Sequence, residues 1–434
     1  MFIYLNIDIM REQGLLKTIS QGIHDMCYIW WLEMRNTVKD EGVLLFFIIV
    51  PLAYPLLYSW IYTNEVVREV PIAVVDQAHS NESREFARLM DGSPNIKVRT
   101  YAANMEDAKS LMGKQVVHGI LFFPKDFSEK INRGEQAHVS AYCDMSLMLG
   151  YKALYETATE VSFEMSGKIQ LRASSLTSIT RRDSELTLNP IKIDNVPIFN
   201  PTGGYGNFLL PGVLILILQQ TMLLGIGLAA GTVRENNKFR DLVPVSKHFN
   251  GIFRIILGKG LCYFMIYMVM GMFALRVVPR IFDFTTLISV GDTIAFLIPY
   301  LMACTFFGMT ISCLIRYREN VILLIVFTSL PLLFLTGISW PQTSIPGYWH
   351  VVSWLAPSTF GIRAFLRLNS MGGTLGDVIT EYNLLYLQAV VYFVTTFIVY
   401  RWQINRTRRH AKRHFSRMEA LTREQIENNK NREP

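Results

Sequence analysis

The chain has 434 residues, of which 50% are hydrophobic, 12% aromatic and 18% charged, with a formal net charge of +7. That balance excludes an ordinary soluble enzyme and equally a wholly buried bundle, so a multi-span membrane protein carrying one sizeable polar domain is expected. The basic residues gather beside the ends of apolar runs and after Arg401, a pattern of membrane topology, and no recognition fold for nucleic acid accompanies them.

Residues 1–41 read as a cytoplasmic N-terminus and an interfacial helix. Between Ile19 and Asp40, charges that include Arg35 alternate with Trp30, Trp31 and aliphatic residues at helical spacing, which suits the headgroup layer. Asp8, Arg11, Glu12 and Lys17 leave no clean apolar stretch, so the first span is expected to serve as an uncleaved anchor. That span is 42–62. Pro51 and Pro55 lie inside it and predict a kink whose freed carbonyls find other partners.

From 63 to 207 the pattern changes to an extracytoplasmic α/β domain. Strand-like runs begin at Val70, Ile96, His118 and Ala137, and helix-like runs begin near Asn81, Met105 and Lys125, with Asn104 and Pro124 as start signals. A long helix from about Leu149 to Ser174 follows, with Tyr155, Thr159, Phe163 and Ile169 on roughly one face. Cys143 is the one cysteine in this segment, so no intrachain disulfide framework holds it.

Phe208 to Thr232 carries no charge and is long enough to cross a bilayer. Gln219 and Gln220 at its centre either line a path or bond to neighbouring helices. The segment 233–254 is a basic cytoplasmic loop, and 255–275 is the third span, in which Lys259 reads as a snorkelling lysine. The fourth span is 293–315 and the fifth 321–339, with Pro331 inside it. Trp340, Trp349, Trp354 and Pro357 mark 340–368 as a broken hairpin dipping into the outer leaflet. The sixth span is 382–400, and 401–434 is a basic cytoplasmic tail. The expected fold is therefore a membrane all-α bundle of six transmembrane helices with an inserted extracytoplasmic α/β domain, both termini cytoplasmic.

Gly258-Lys259 is preceded by Gly251 at the wrong spacing and followed by Gly260, so it is not a phosphate-cradling loop. The central parts of the spans lack Asp, Glu and His, which disfavours an ion-coupled carrier. His79, His118, His138 and Cys143 match no metal-ligand spacing, and no nucleophile motif of the G-x-S-x-G kind is present. Neither catalysis nor a cofactor is expected in this chain.

The order of parts resembles the permease subunits of type-2 ABC exporters, specifically the bacterial subgroup with a long periplasmic domain. Its local carriers are Asn207-Phe-Leu-Leu-Pro-Gly212, the pair Arg234-Glu235, Pro244 with Gly258-Lys259, and Pro357-Ser-Thr359. Asn236-Asn237 stands where such families commonly have Gly-Thr after the glutamate.

The resemblance implies a homodimer or heterodimer of permeases in the bacterial inner membrane, with separate ATPase subunits that hold ATP and Mg. It implies export of a hydrophobic or amphipathic substrate, with a periplasmic adaptor as a further candidate partner. With the charge pattern, it assigns ATPase coupling to Arg234, Glu235, Phe239, Arg240, Asp241, Leu242 and Lys247, beside the interfacial helix. It assigns the translocation path to Gln219, Gln220, Pro51, Pro55 and Pro331. The alternative is a non-transporting receptor or scaffold that presents the outer domain.

Overall fold

The computed structural model describes residues 15–63, 67–145, 147–175, 199–200, 204–235, 251–315, 317–340 and 342–430. It divides into two compact units, Asn64–Pro197 and the remainder of the chain, each with its own apolar core.

The smaller unit is built on three parallel strands. β1 (Val70–Asp76), α3 (Asn81–Asp91), β2 (Ile96–Tyr101), α4 (Met105–Gly113), β3 (Gly119–Phe123), α5 (Phe127–Asn132), β4 (Ser140–Cys143) and α6 (Met148–Ser175) follow in order, α1 (Leu15–Lys39) and α2 (Glu41–Ile61) belonging to the larger unit. The strands lie in the order β2-β1-β3-β4, with β4 antiparallel on β3. Central β1 is apolar on both faces, as a strand covered on both sides must be. Ile72 and Val74 pack with Phe86 and Met90 of α3 and Leu154 of α6, whereas Ala73 and Val75 pack with Ala108 of α4.

Local chemistry starts the helices. Ser80 and Ser83 bond reciprocally across the first turn of α3, at 3.0 and 3.1 Å, and Asn104 Oδ1 accepts from Asp107 N at 2.7 Å to open α4. On α6 the face turned to the core is Leu154, Thr157, Val161 and Met165. Tyr155 and Phe163, at 58% and 73% exposure, belong to the opposite side.

Among the described residues the larger unit holds six helices long and apolar enough to cross a membrane. They are α2 (Glu41–Ile61), α7 (Tyr205–Glu235), α8 (Gly251–Ile281), α9 (Val290–Leu314), α10 (Arg318–Leu335) and α13 (Ile379–Lys430), preceded by α1 (Leu15–Lys39). Two short helices, α11 (Gly347–Ser353) and α12 (Pro357–Asn369), interrupt 340–368. α13 continues without a break from the apolar stretch into the basic segment. The hub is α7, whose apolar stretch is 72% buried, against 11% for α10. Gly225 lets it close on α2, since a Cβ there would lie 2.8 Å from the Phe47 ring.

Each of two spans contains a π turn just before a proline: Leu45–Ile49 before Pro51, and Phe273–Val277 before Pro279. In the π register Pro51 would be the donor to the Phe46 carbonyl, and it has no N–H to give. Tyr267 Oη donates to that carbonyl instead, at 3.3 Å.

Leu154→Ala should weaken the smaller unit by about 2–5 kcal/mol, because it empties the contact between α6 and the sheet. The expected result is faster proteolysis within 70–175 while the apolar helices stay protected; equal cleavage rates would contradict this packing.

Candidate functional site

α1 is held on the bundle by three acidic residues spaced seven or eight apart, which puts them on one flank of a helix. Asp25 pairs with Arg254 at 2.6 Å, Glu33 with Lys259 at 2.9 Å, and Asp40, just past the helix end, with Arg318 at 2.6 Å. The middle pair is the most buried, its side chains 6% and 7% exposed. Tyr263 donates its hydroxyl to the other oxygen of Glu33, so both carboxylate oxygens are occupied. Gly258 allows the approach: a Cβ there would sit 2.9 Å from the Met26 carbonyl. Lys259 therefore does not snorkel, because its ammonium is sequestered with a carboxylate instead of reaching water.

Asp40 joins four elements. It caps α2 through Gly42 N and Val43 N at 3.1 and 3.3 Å, accepts from Thr232 Oγ1 of α7 at 2.7 Å, and meets Arg318 of α10. Burial alone would raise its pKa, but the Thr232 and Arg318 bonds outweigh burial and hold it below the ordinary 3.8. A lowered carboxylate stabilises the fold above its unfolded value and loses that contribution as pH falls through the folded one, so this joint stays charged near neutrality. Glu33, Thr37, Asp40, Thr232 and Arg318 border a polar crevice of about 520 Å³.

A second polar contact lies between α7 and α12. Ala356 offers α12 no side-chain cap, and Gln219 Oε1 of α7 accepts from Ser358 N at 2.6 Å. Thr359 Oγ1 also ties α12 to the Ser353 carbonyl at 2.7 Å. Gln219 Nε2, both polar atoms of the Gln220 side chain and Ser358 Oγ are buried without a hydrogen-bond partner among the described residues.

The sequence-predicted residues fall unevenly on this frame. Gln219 is brought against α12 next to buried Pro357, Pro51 and Pro55 are buried in α2, and Pro331 is exposed on α10. Trp31 and Arg35 are exposed on α1, while Trp30 is partly buried against the core. Trp340, Trp349 and Trp354 are all exposed. Arg234 and Glu235 end α7. Phe239, Arg240, Asp241, Leu242 and Lys247 lie outside the described residues. Sequence reasoning missed Asp25, Glu33, Asp40, Tyr263, Arg254 and Arg318, and named Ser358 only as part of a family motif. The available signal was the acidic spacing 25–33–40 within an otherwise amphipathic helix.

The profile of the ABC-2 family transporter proteins matches residues 42–398, from the start of α2 to the apolar part of α13. The chain belongs to that family. It is thus a membrane permease of an ABC transporter, and membership implies an ABC ATPase as partner. No curated protein matches the chain at a significant level. In this ABC-2 permease the basic partners Arg254, Lys259 and Arg318 lie inside the matched region, whereas α1 with Asp25 and Glu33 precedes it.

Lys259→Met should destabilise the bundle by about 3–5 kcal/mol, since it strands a buried carboxylate. Adding Glu33→Gln, which keeps an acceptor for Tyr263, should recover most of the loss, read from thermal midpoints in detergent and from proteolytic release of α1. Equal midpoints for wild type and Lys259→Met would remove the pair from the account.

Proposed function

We propose that this chain is the permease subunit of an ATP-driven exporter in a bacterial inner membrane, moving a hydrophobic or amphipathic substrate outward on energy from a separate ATPase. The observation that carries the reading is the conjunction of the family match with the α1 clamp. Ion pairs link α1 to α8 and α10, and Asp40 adds α2 and α7, so displacement of α1 is transmitted to four spans. The charge pattern supports cytoplasmic termini, which puts α1 and the loop after α7 on the side where ATP is hydrolysed, and residues 64–197 outside. The permease acts as a dimer with a second copy or a related chain. The loop carrying Arg234, Glu235, Phe239, Arg240, Asp241, Leu242 and Lys247 docks on the ATPase together with α1, and Gln219 and Gln220 belong to the path that substrate follows. The outer domain contacts substrate or a periplasmic adaptor.

Two measurements test this. With the permease and its ATPase reconstituted together, Glu235→Ala combined with Arg240→Ala should abolish substrate-stimulated ATP hydrolysis and transport while co-purification persists; unchanged transport removes this loop from coupling. Deleting 70–186 should abolish or sharply reduce export without dispersing the complex, and full export by the deleted protein would refute a working role for the outer domain.

A further inference from the structure

Ser59, near the end of α2 remote from Asp40, is fully buried, and its Oγ has no hydrogen-bond partner among the described residues. Asn369, the last residue of α12, is 3% exposed, and its Oδ1 is in the same condition. A hydroxyl and an amide oxygen unpaired in apolar surroundings each cost stability, so each calls for a partner. Both residues line one internal cavity between α2, α7, α8 and α12, with about 20 Å³ of space for water-sized groups. That exceeds the roughly 10–15 Å³ that one water needs and leaves no room for an organic ligand.

The cavity wall supplies a third partner. Pro211 lies inside α7 and has no N–H to give the carbonyl one turn back, that of Asn207, and both residues line the cavity. The side chain of Asn207 is committed elsewhere, its Oδ1 accepting from Thr285 N at 3.0 Å. No lining residue carries a charge, so a bare ion would meet no counter-charge, whereas water is neutral and matches one donor with two acceptors. We infer that the cavity holds a single resident water, which accepts from Ser59 Oγ and donates to Asn369 Oδ1 and to the Asn207 carbonyl. Three bonds are what a buried water ordinarily makes. This water joins α2, α7 and α12 at one point. It complements the bond from Ser358 N to Gln219, so that α12 has a polar tie at each end.

Two measurements on the intact permease test this, and neither involves transport. In a map of the protein in nanodiscs resolved to about 2 Å, a peak is expected about 2.7–3.2 Å from both Ser59 Oγ and Asn369 Oδ1. An empty cavity at that resolution, or a peak with contacts near about 2.4 Å as a bound cation makes, would overturn the inference. Thermal midpoints in detergent give the second reading. Were the hydroxyl unpaired, Ser59→Ala would remove a buried orphan and raise the midpoint; with water bound, the variant loses a bond and the midpoint falls by about 1–3 °C. Asn369→Leu should lower it by a similar amount. The double variant should fall no further than the weaker single one, because both side chains act through one water. A raised or unchanged midpoint in Ser59→Ala contradicts the bridge, and so do losses that simply add, which is what separate hydrogen bonds within each helix would produce.

Discussion

A carboxylate and an ammonium removed from water are tolerated only if they meet each other and their remaining lone pairs and protons are matched. Glu33 and Lys259 meet that condition, with Tyr263 on the second oxygen, and the position of α1 follows from it. Once the middle of α1 is fixed, Gly258 must be small, because any side chain would strike the Met26 carbonyl. The flanking pairs, Asp25 with Arg254 and Asp40 with Arg318, are more exposed and contribute less individually. They set direction. Asp40 then transfers the alignment to the first span, since the same carboxylate that meets Arg318 caps α2.

Within the apolar helices the governing constraint is backbone accounting, because hydrocarbon supplies no substitute partners. Side-chain hydroxyls answer it repeatedly. Tyr267 serves Phe46 beside the first π turn, Tyr300 donates to the Ile215 carbonyl at 2.6 Å, and Thr396 of α13 donates to the Phe306 carbonyl of α9 at 3.0 Å. Each bond joins two helices as it satisfies a carbonyl. Gln219 does the reverse for α12, supplying an acceptor where Ala356 has none.

What sequence could reveal followed from how local each signal is. The six apolar stretches needed only length and the absence of charge, as in 208–232, and the first strand needed only the run Val70-Pro-Ile-Ala-Val-Val75. Pro51 marked where the helix pattern is interrupted, but the hydroxyl that serves the Phe46 carbonyl was not legible, since Tyr267 lies on a helix far along the chain. Lys259 was misread for the same reason. A lysine near a helix end ordinarily reaches water, and only the tertiary approach of α1 makes burial cheaper than exposure. The shared face of Tyr155 and Phe163 on α6 was legible from spacing, but not that it is the exposed side, because the buried side is the quieter series Leu154, Thr157, Val161 and Met165.

The two polar contacts of the bundle differ in what displacement would cost. At the α1 clamp both carboxylate oxygens of Glu33 are satisfied, so separation strands a buried charge. At the contact of α7 with α12, one strong bond from Ser358 N to Gln219 stands among four orphaned atoms, on Gln219, Gln220 and Ser358. An unpaired polar atom in an apolar surrounding is destabilising, so this contact is held by the packing of Ile215 and Leu218 against Ile362 and Phe365 more than by its polar atoms. The contact between α7 and α12 carries one bond beside four unpaired polar atoms, and it lies on the hub helix that the clamp reaches through Asp40 and Thr232.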